Sequence, residues 1–142
     1  MLTGITHLAL TVKDMEKAVD FYCRVLGLKK VFELPEPKTG APWIVYLHLD
    51  KKQFVELFYN GTTDNPWNSS LRGFNHICFE VDDINRIAAH IKESGYKLDT
   101  EPKLGVDKNW QAWVTDPDGV RIELMQISPD SPHGKIAAGL PL

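Results

Sequence analysis

The stretch HLALTVKDMEKAVDFYCRVLGL, His7 to Leu28, returns later in the chain as HICFEVDDINRIAAHIKESGY, His76 to Tyr96. Each copy predicts a strand followed by a helix. In the first, Leu8, Leu10 and Val12 alternate with His7, Ala9 and Thr11, the period-two pattern of a strand with one dry face. Asp14 then stands as a helix N-cap. Met15, Ala18, Val19, Tyr22 and Leu26 recur at helical spacing, and Gly27 ends the helix. In the second copy Asp83 caps, Ile84, Ile87, Ala88 and Ile91 form the apolar stripe, and Gly95 stops it. His7 with His76, Val12 with Val81 and Asp14 with Asp83 share one offset. Gly27 with Gly95 falls one residue short of it, so a single-residue gap separates the copies there.

The correspondence continues outward. VEL at Val55–Leu57 meets IEL at Ile122–Leu124, so Glu56 matches Glu123 after one further gap. Strands are expected at residues 29–34, 43–49 and 53–59 in the first half. In the second they are expected at 97–100, 110–115 and 120–127. DPDG at Asp116–Gly119 is a turn, with Pro117 fixing φ at its second position. Each half therefore reads βαβββ. One half alone cannot bury both a helix face and a sheet face. Two together predict an α+β fold with helices outside and a curled mixed sheet around a shared cavity. The expected boundaries are 1–59 for the first module, 60–73 for a linker and 74–127 for the second module. Residues 128–142, rich in Pro and Gly, read as a loosely ordered extension.

Composition narrows the function. The chain has 142 residues and a net charge of −3, with no basic run, which argues against nucleic-acid binding. No apolar run approaches the roughly 20 residues of a membrane span, and the start MLTGITHLAL has no signal-peptide pattern. Cys23 and Cys78 sit in apolar surroundings and read as buried, reduced thiols of a cytoplasmic protein.

Each half places one His on its first strand and one Glu inside an otherwise apolar last strand. Taken singly, such a His is more often a hydrogen-bonded core residue, and such a Glu more often faces water on an edge strand. The repeat preserves both residue types twice, and two imidazoles with two carboxylates suit a divalent first-row metal with room left for water or substrate. Trp43, Trp110 and Trp113 lie on strands and Trp67 on the linker. Core packing is the ordinary fate of each, while Trp43, Trp110 and Trp113 could also line the cavity, with Trp113 a candidate to bind substrate. Arg72 and Lys108 are candidates for holding an anionic group.

From His7 to Ile127 the chain resembles the vicinal-oxygen-chelate superfamily, on HLALTVKDMEKAVDFYCRVLGL, VELFYN, HICFEVDD and DPDGVRIEL. Within it the chain resembles glyoxalase I, the lactoylglutathione lyases. That resemblance implies His7, Glu56, His76 and Glu123 as ligands of Ni²⁺, Co²⁺ or Zn²⁺. It implies a small-molecule substrate with vicinal oxygens and proton transfer through a metal-bound enediolate, with Glu123 as base and Glu56 as its partner. It also implies a homodimer. Asn60 matches the Asn with which glyoxalase I grips glutathione. Thr11 stands where that family carries an Arg, and Lys103 and Lys108 lie near its other basic position. The resemblance leaves other chemistries on this fold open: an epimerase, an extradiol-type dioxygenase, or a ligand-sequestering protein of the bleomycin-resistance kind.

Overall fold

The computed structural model describes residues 1–70 and 72–142; Leu71, within the 60–73 linker, lies outside the described residues. The chain divides into two compact units, Met1–Asn65 and Pro66–Leu142. Each is an open four-stranded mixed sheet with a helix inserted after its first strand.

In the first unit the strands are β1 (His7–Thr11), β2 (Lys29–Pro35), β3 (Pro42–Asp50) and β4 (Gln53–Phe58), ordered β1-β4-β3-β2. β1 runs parallel to β4, and the other neighbours are antiparallel. The alternation read from the sequence is the alternation observed. Val45, Leu47, Val55 and Leu57 are buried at every second position of the two central strands. His7, Ala9 and Thr11 are exposed on β1, where Leu8 and Leu10 are half-buried.

α1 (Met15–Asp20) starts where expected, with the Asp14 carboxylate accepting from Lys17 N at 3.1 Å. The sequence predicts one uninterrupted helix to Leu26. Instead the last turn, Phe21–Val25, is a π-helix, closed by Leu26 N donating to Phe21 O at 3.0 Å. The widened turn coincides with two adjacent aromatics, Phe21 and Tyr22, that are both fully buried and meet edge to face at 5.3 Å. Periodicity does not reveal a turn of this kind, because it costs the pattern only one residue.

The second unit repeats the plan with β5 (Ile77–Glu80), α2 (Ile84–Glu93), β6 (Thr100–Leu104), β7 (Trp110–Thr115) and β8 (Arg121–Gln126). The order is β5-β8-β7-β6, with β5 parallel to β8. α2 packs on β6, β7 and β8 through Ile84, Ala88 and Ile91. Asp83 caps it by accepting from Asn85 N and Arg86 N. Gly27 and Gly95 adopt φ of +85° and +87° just past the two helices. There a side chain would strain the backbone, and glycine does not.

Two expectations are corrected. The strand placed at 97–100 lies at Thr100–Leu104. Leu98 turns inward and is buried, and Asp99 N opens the pairing by donating to Trp113 O at 2.8 Å. Pro102 lies within this strand; on an edge strand it is tolerated, and the register shift between Thr100 and Lys103 absorbs it. The tail read as loosely ordered contains a third helix, α3 (Pro132–Ala137). Ser131 is its N-cap, fully buried, with Oγ accepting from Gly134 N at 3.0 Å, and Pro132 occupies the first turn. Asn109 ties this segment down. Its Oδ1 accepts from Ser128 N at 3.0 Å and its Nδ2 meets His133 Nδ1 at 2.9 Å.

Candidate functional site

Each unit carries one His–Glu pair, built in the same way. In the first unit the parallel register sets Ala9 beside Glu56, and His7 stands two residues earlier on the same face of β1. His7 Nδ1 lies 3.5 Å from Glu56 Oε1. In the second unit Cys78 pairs with Glu123, and His76 again stands two residues earlier. His76 Nε2 lies 3.0 Å from Glu123 Oε2. His76 itself sits just ahead of β5, which starts at Ile77, and not within the strand.

The carboxylates are removed from water more than the imidazoles are. Glu123 is 7% exposed and Glu56 13%, against 31% for His76 and 51% for His7. A carboxylate at that depth needs a cationic or hydrogen-bonding partner, because losing its hydration costs several kcal/mol. His76 is further oriented by Asn75, whose Oδ1 lies 2.8 Å from His76 Nδ1. Within neither unit, among the described residues, do three or more His, Cys, Asp or Glu side chains form a metal-binding group. Each unit offers a pair.

Cross-strand neighbours complete the two surroundings, and they differ. Tyr46 is directly opposite Glu56 on β3. Its hydroxyl pKa is raised, first by partial burial and then by the Glu56 carboxylate. Trp113 is directly opposite Glu123 on β7, with its ring edge-on to His76 at 4.8 Å. Arg121, two residues before Glu123, lies over two indoles, 4.7 Å from the ring centroid of Trp113 and 3.9 Å from that of Trp67.

Cys78 was expected to be buried and is exposed, while Cys23 is half-buried. The alternation explains the correction: Cys78 shares the face of His76 and Glu123, not the apolar face of Ile77. Its thiol pKa is pushed up to about 12, first by desolvation and then by the neighbouring Glu123 carboxylate. Both cysteines are free thiols.

The residues predicted to hold substrate are spread more widely. Thr11 is exposed on β1, on the face of His7. Asn60 is exposed with φ of 70°, and the loop it opens is fastened to the end of β1 by Gly61 N donating to Val12 O at 3.0 Å. Asn60 and Thr11 thus belong to one edge of the first unit. Trp113 adjoins the His76–Glu123 pair. Lys108 does not: it occupies the turn before β7, ahead of Trp110, and three strand positions, about 10 Å, separate Trp110 from Trp113. Lys103 lies on the edge strand β6. Trp43 and Trp110, for which core packing was expected, are 38% and 41% exposed. Tyr46 and Arg121 escaped the sequence reading, and Cys78 was read only as a buried thiol, although each shares a face with a candidate ligand or its cross-strand partner. Strand alternation on either side of a singled-out Glu is the signal that finds them.

The model of the Glyoxalase/Bleomycin resistance protein/Dioxygenase superfamily matches residues 4–124. The chain belongs to this superfamily. Among its curated relatives, an Escherichia coli O157:H7 protein named lactoylglutathione lyase is 32% identical over 126 residues, covering 86% of this chain and 91% of the relative. A bovine mitochondrial methylmalonyl-CoA epimerase is 32% identical over 133 residues, covering 88% and 75%. An Arabidopsis thaliana protein named "Probable lactoylglutathione lyase, chloroplastic" is 31% identical over 87% of this chain, which spans only 35% of that protein's length. Among solved structures, a glyoxalase I mutant from Zea mays superposes with a TM-score of 0.73 at 26% identity, covering 87% of this chain and 44% of the other. These relatives carry the names of more than one kind of enzyme. No helix among the described residues is long and apolar enough to cross a membrane.

Proposed function

We propose that this chain is a metal-dependent lyase of the glyoxalase I type, moving a proton between adjacent carbons of a substrate with vicinal oxygens. One observation carries the reading: the two units hold His–Glu pairs at equivalent register, each with a nearly buried carboxylate and an imidazole as partner. Two imidazole nitrogens and two carboxylates form a donor set suited to Ni²⁺, Co²⁺ or Zn²⁺. His7, Glu56, His76 and Glu123 would hold the ion, with the two pairs supplied by one chain or by two copies in a homodimer. Bound there, a divalent ion supplies Lewis acidity that polarises a substrate carbonyl and acidifies the adjacent C–H.

The chain's own groups do the rest. Asn75 Oδ1, 2.8 Å from His76 Nδ1, orients the imidazole; by accepting from Nδ1–H it would leave Nε2 as the metal-binding nitrogen. Glu123, the more deeply buried carboxylate, takes the proton from the substrate carbon and returns it to the neighbouring one. Glu56, with Tyr46 across from it, serves as its partner. Trp113 walls the second pair, and Thr11 and Asn60 contact the substrate from the first unit. Two free cysteines agree with a reducing, cytoplasmic setting.

The bovine relative favours a second reading, epimerisation, in which the same base takes a proton and it returns to the opposite face of one carbon. Turnover separates the two. Protein stripped with a chelator is expected to lose conversion of the methylglyoxal–glutathione hemithioacetal and to regain it with added Ni²⁺. Metal-restored protein that leaves the hemithioacetal untouched but exchanges an α-proton of an acyl thioester would establish the epimerase instead. Conversion unaffected by chelation would contradict both.

A further inference from the structure

The Arg121 guanidinium lies against two indoles: its Cζ stands 3.9 Å from the ring centroid of Trp67 and 4.7 Å from that of Trp113. Cation–π contact of this kind uses none of the guanidinium's N–H donors as hydrogen bonds to oxygen. Among the described residues no hydrogen bond or ion pair takes those side-chain donors. Two other arginines behave differently: Arg86 is paired with Asp82, and Arg24 with Asp20. A half-buried guanidinium, flanked by two indoles and with its N–H donors unspent, is preorganised for an incoming acceptor.

Its position says which acceptor. Arg121 and Glu123 share a face of β8, about 7 Å apart along the strand. Trp113 touches both Arg121 and His76, so one indole joins the fork to the His76–Glu123 pair. Among the described residues Arg121 is the one permanent cation in this cluster. A single planar fork matches the two coplanar oxygens of a carboxylate monoanion, whereas a phosphate dianion beside Glu123 calls for more positive charge. We propose that Arg121 is a specificity residue of the proposed site, binding a substrate carboxylate with two parallel N–H···O bonds while Trp67 and Trp113 flank the guanidinium. This rests on the lyase reading for the position of the reacting carbon, which lies at Glu123.

Calorimetric titration tests it without turnover. The probes are S-hexylglutathione, with free carboxylates, and its diethyl ester. Wild-type protein is expected to bind the free acid at least about tenfold more tightly than the ester, the share of one charge-assisted bidentate contact. Arg121→Gln is expected to erase that preference and leave ester binding unchanged. Arg121→Lys, which keeps the charge but not the fork, is expected to retain only part of it; if Arg121→Gln does not fold, Arg121→Lys decides, by weakening the acid at least about threefold or not. An undiminished preference for the acid in the variants, or no preference in the wild type, overturns the assignment. Because no reaction is read, inactivity toward the hemithioacetal leaves this result standing, and loss of the preference leaves the lyase reading standing.

Discussion

Glu123→Gln is expected to lower kcat about 10³-fold, within the usual share of a positioned general base, while leaving the melting temperature near that of the wild type. Glutamine has the shape of glutamate and can still meet His76 Nε2, 3.0 Å away. What it lacks is a basic oxygen to accept a proton from carbon. Removing the negative charge also relieves a carboxylate that is 7% exposed, so no unpaired charge is left behind to destabilise the fold. The corresponding Glu56→Gln change bears on metal binding more than on proton transfer. A Glu123→Gln protein that turned over at the wild-type rate would remove Glu123 from the role of base.

Phe21→Ala is expected to cost about 3–5 kcal/mol, the range for deleting a fully buried aromatic from a core. Phe21 has no exposed surface, and it meets Tyr22 edge to face at 5.3 Å. It also sits where the helix changes from α to π geometry, so little slack exists for neighbours to collapse into the vacancy. A domain of this size has only about 5–15 kcal/mol in all. A urea titration is expected to show a large fall in midpoint. A loss below about 1.5 kcal/mol would mean that the π turn relaxes to fill the space.

Much of the fold was legible because the chain states it twice. Alternation on β1, the Asp14 and Asp83 caps and the Gly27 and Gly95 stops all agree locally, and their recurrence identifies the paired βαβββ plan. The elements that were misplaced lack a local signature. β6 begins after Leu98 turns inward, a tertiary event, and it continues through a Pro that only its edge position permits. α3 is too short to show periodicity, and the segment that carries its buried Ser131 cap is tied through Ser128 and His133 to Asn109, a residue distant in sequence. The π turn is invisible to a search for a 3.6-residue period.

The candidate site was legible as residue types and not as surroundings. The repeat drew attention to His7, Glu56, His76 and Glu123, and the structure sets them in two pairs at matching register. Their neighbours Tyr46, Cys78, Trp113 and Arg121 depend on which strand lies beside which, and a single sequence does not give that register directly. Lys108, a candidate for anion binding on its charge, lies in the turn before β7 and not beside the His76–Glu123 pair, whereas the Arg121 guanidinium lies against Trp113 next to that pair.

Metal stoichiometry tests the central claim most directly. Equilibrium dialysis of chelator-stripped protein against Ni²⁺ is expected to give one tightly held ion per chain. Each of His7→Ala, Glu56→Ala, His76→Ala and Glu123→Ala is expected to weaken binding by one to two orders of magnitude or more, since each removes a ligand. Absence of tight binding by the wild-type protein, or binding that survives unchanged in variants from either pair, would contradict a shared metal centre built from the two His–Glu pairs.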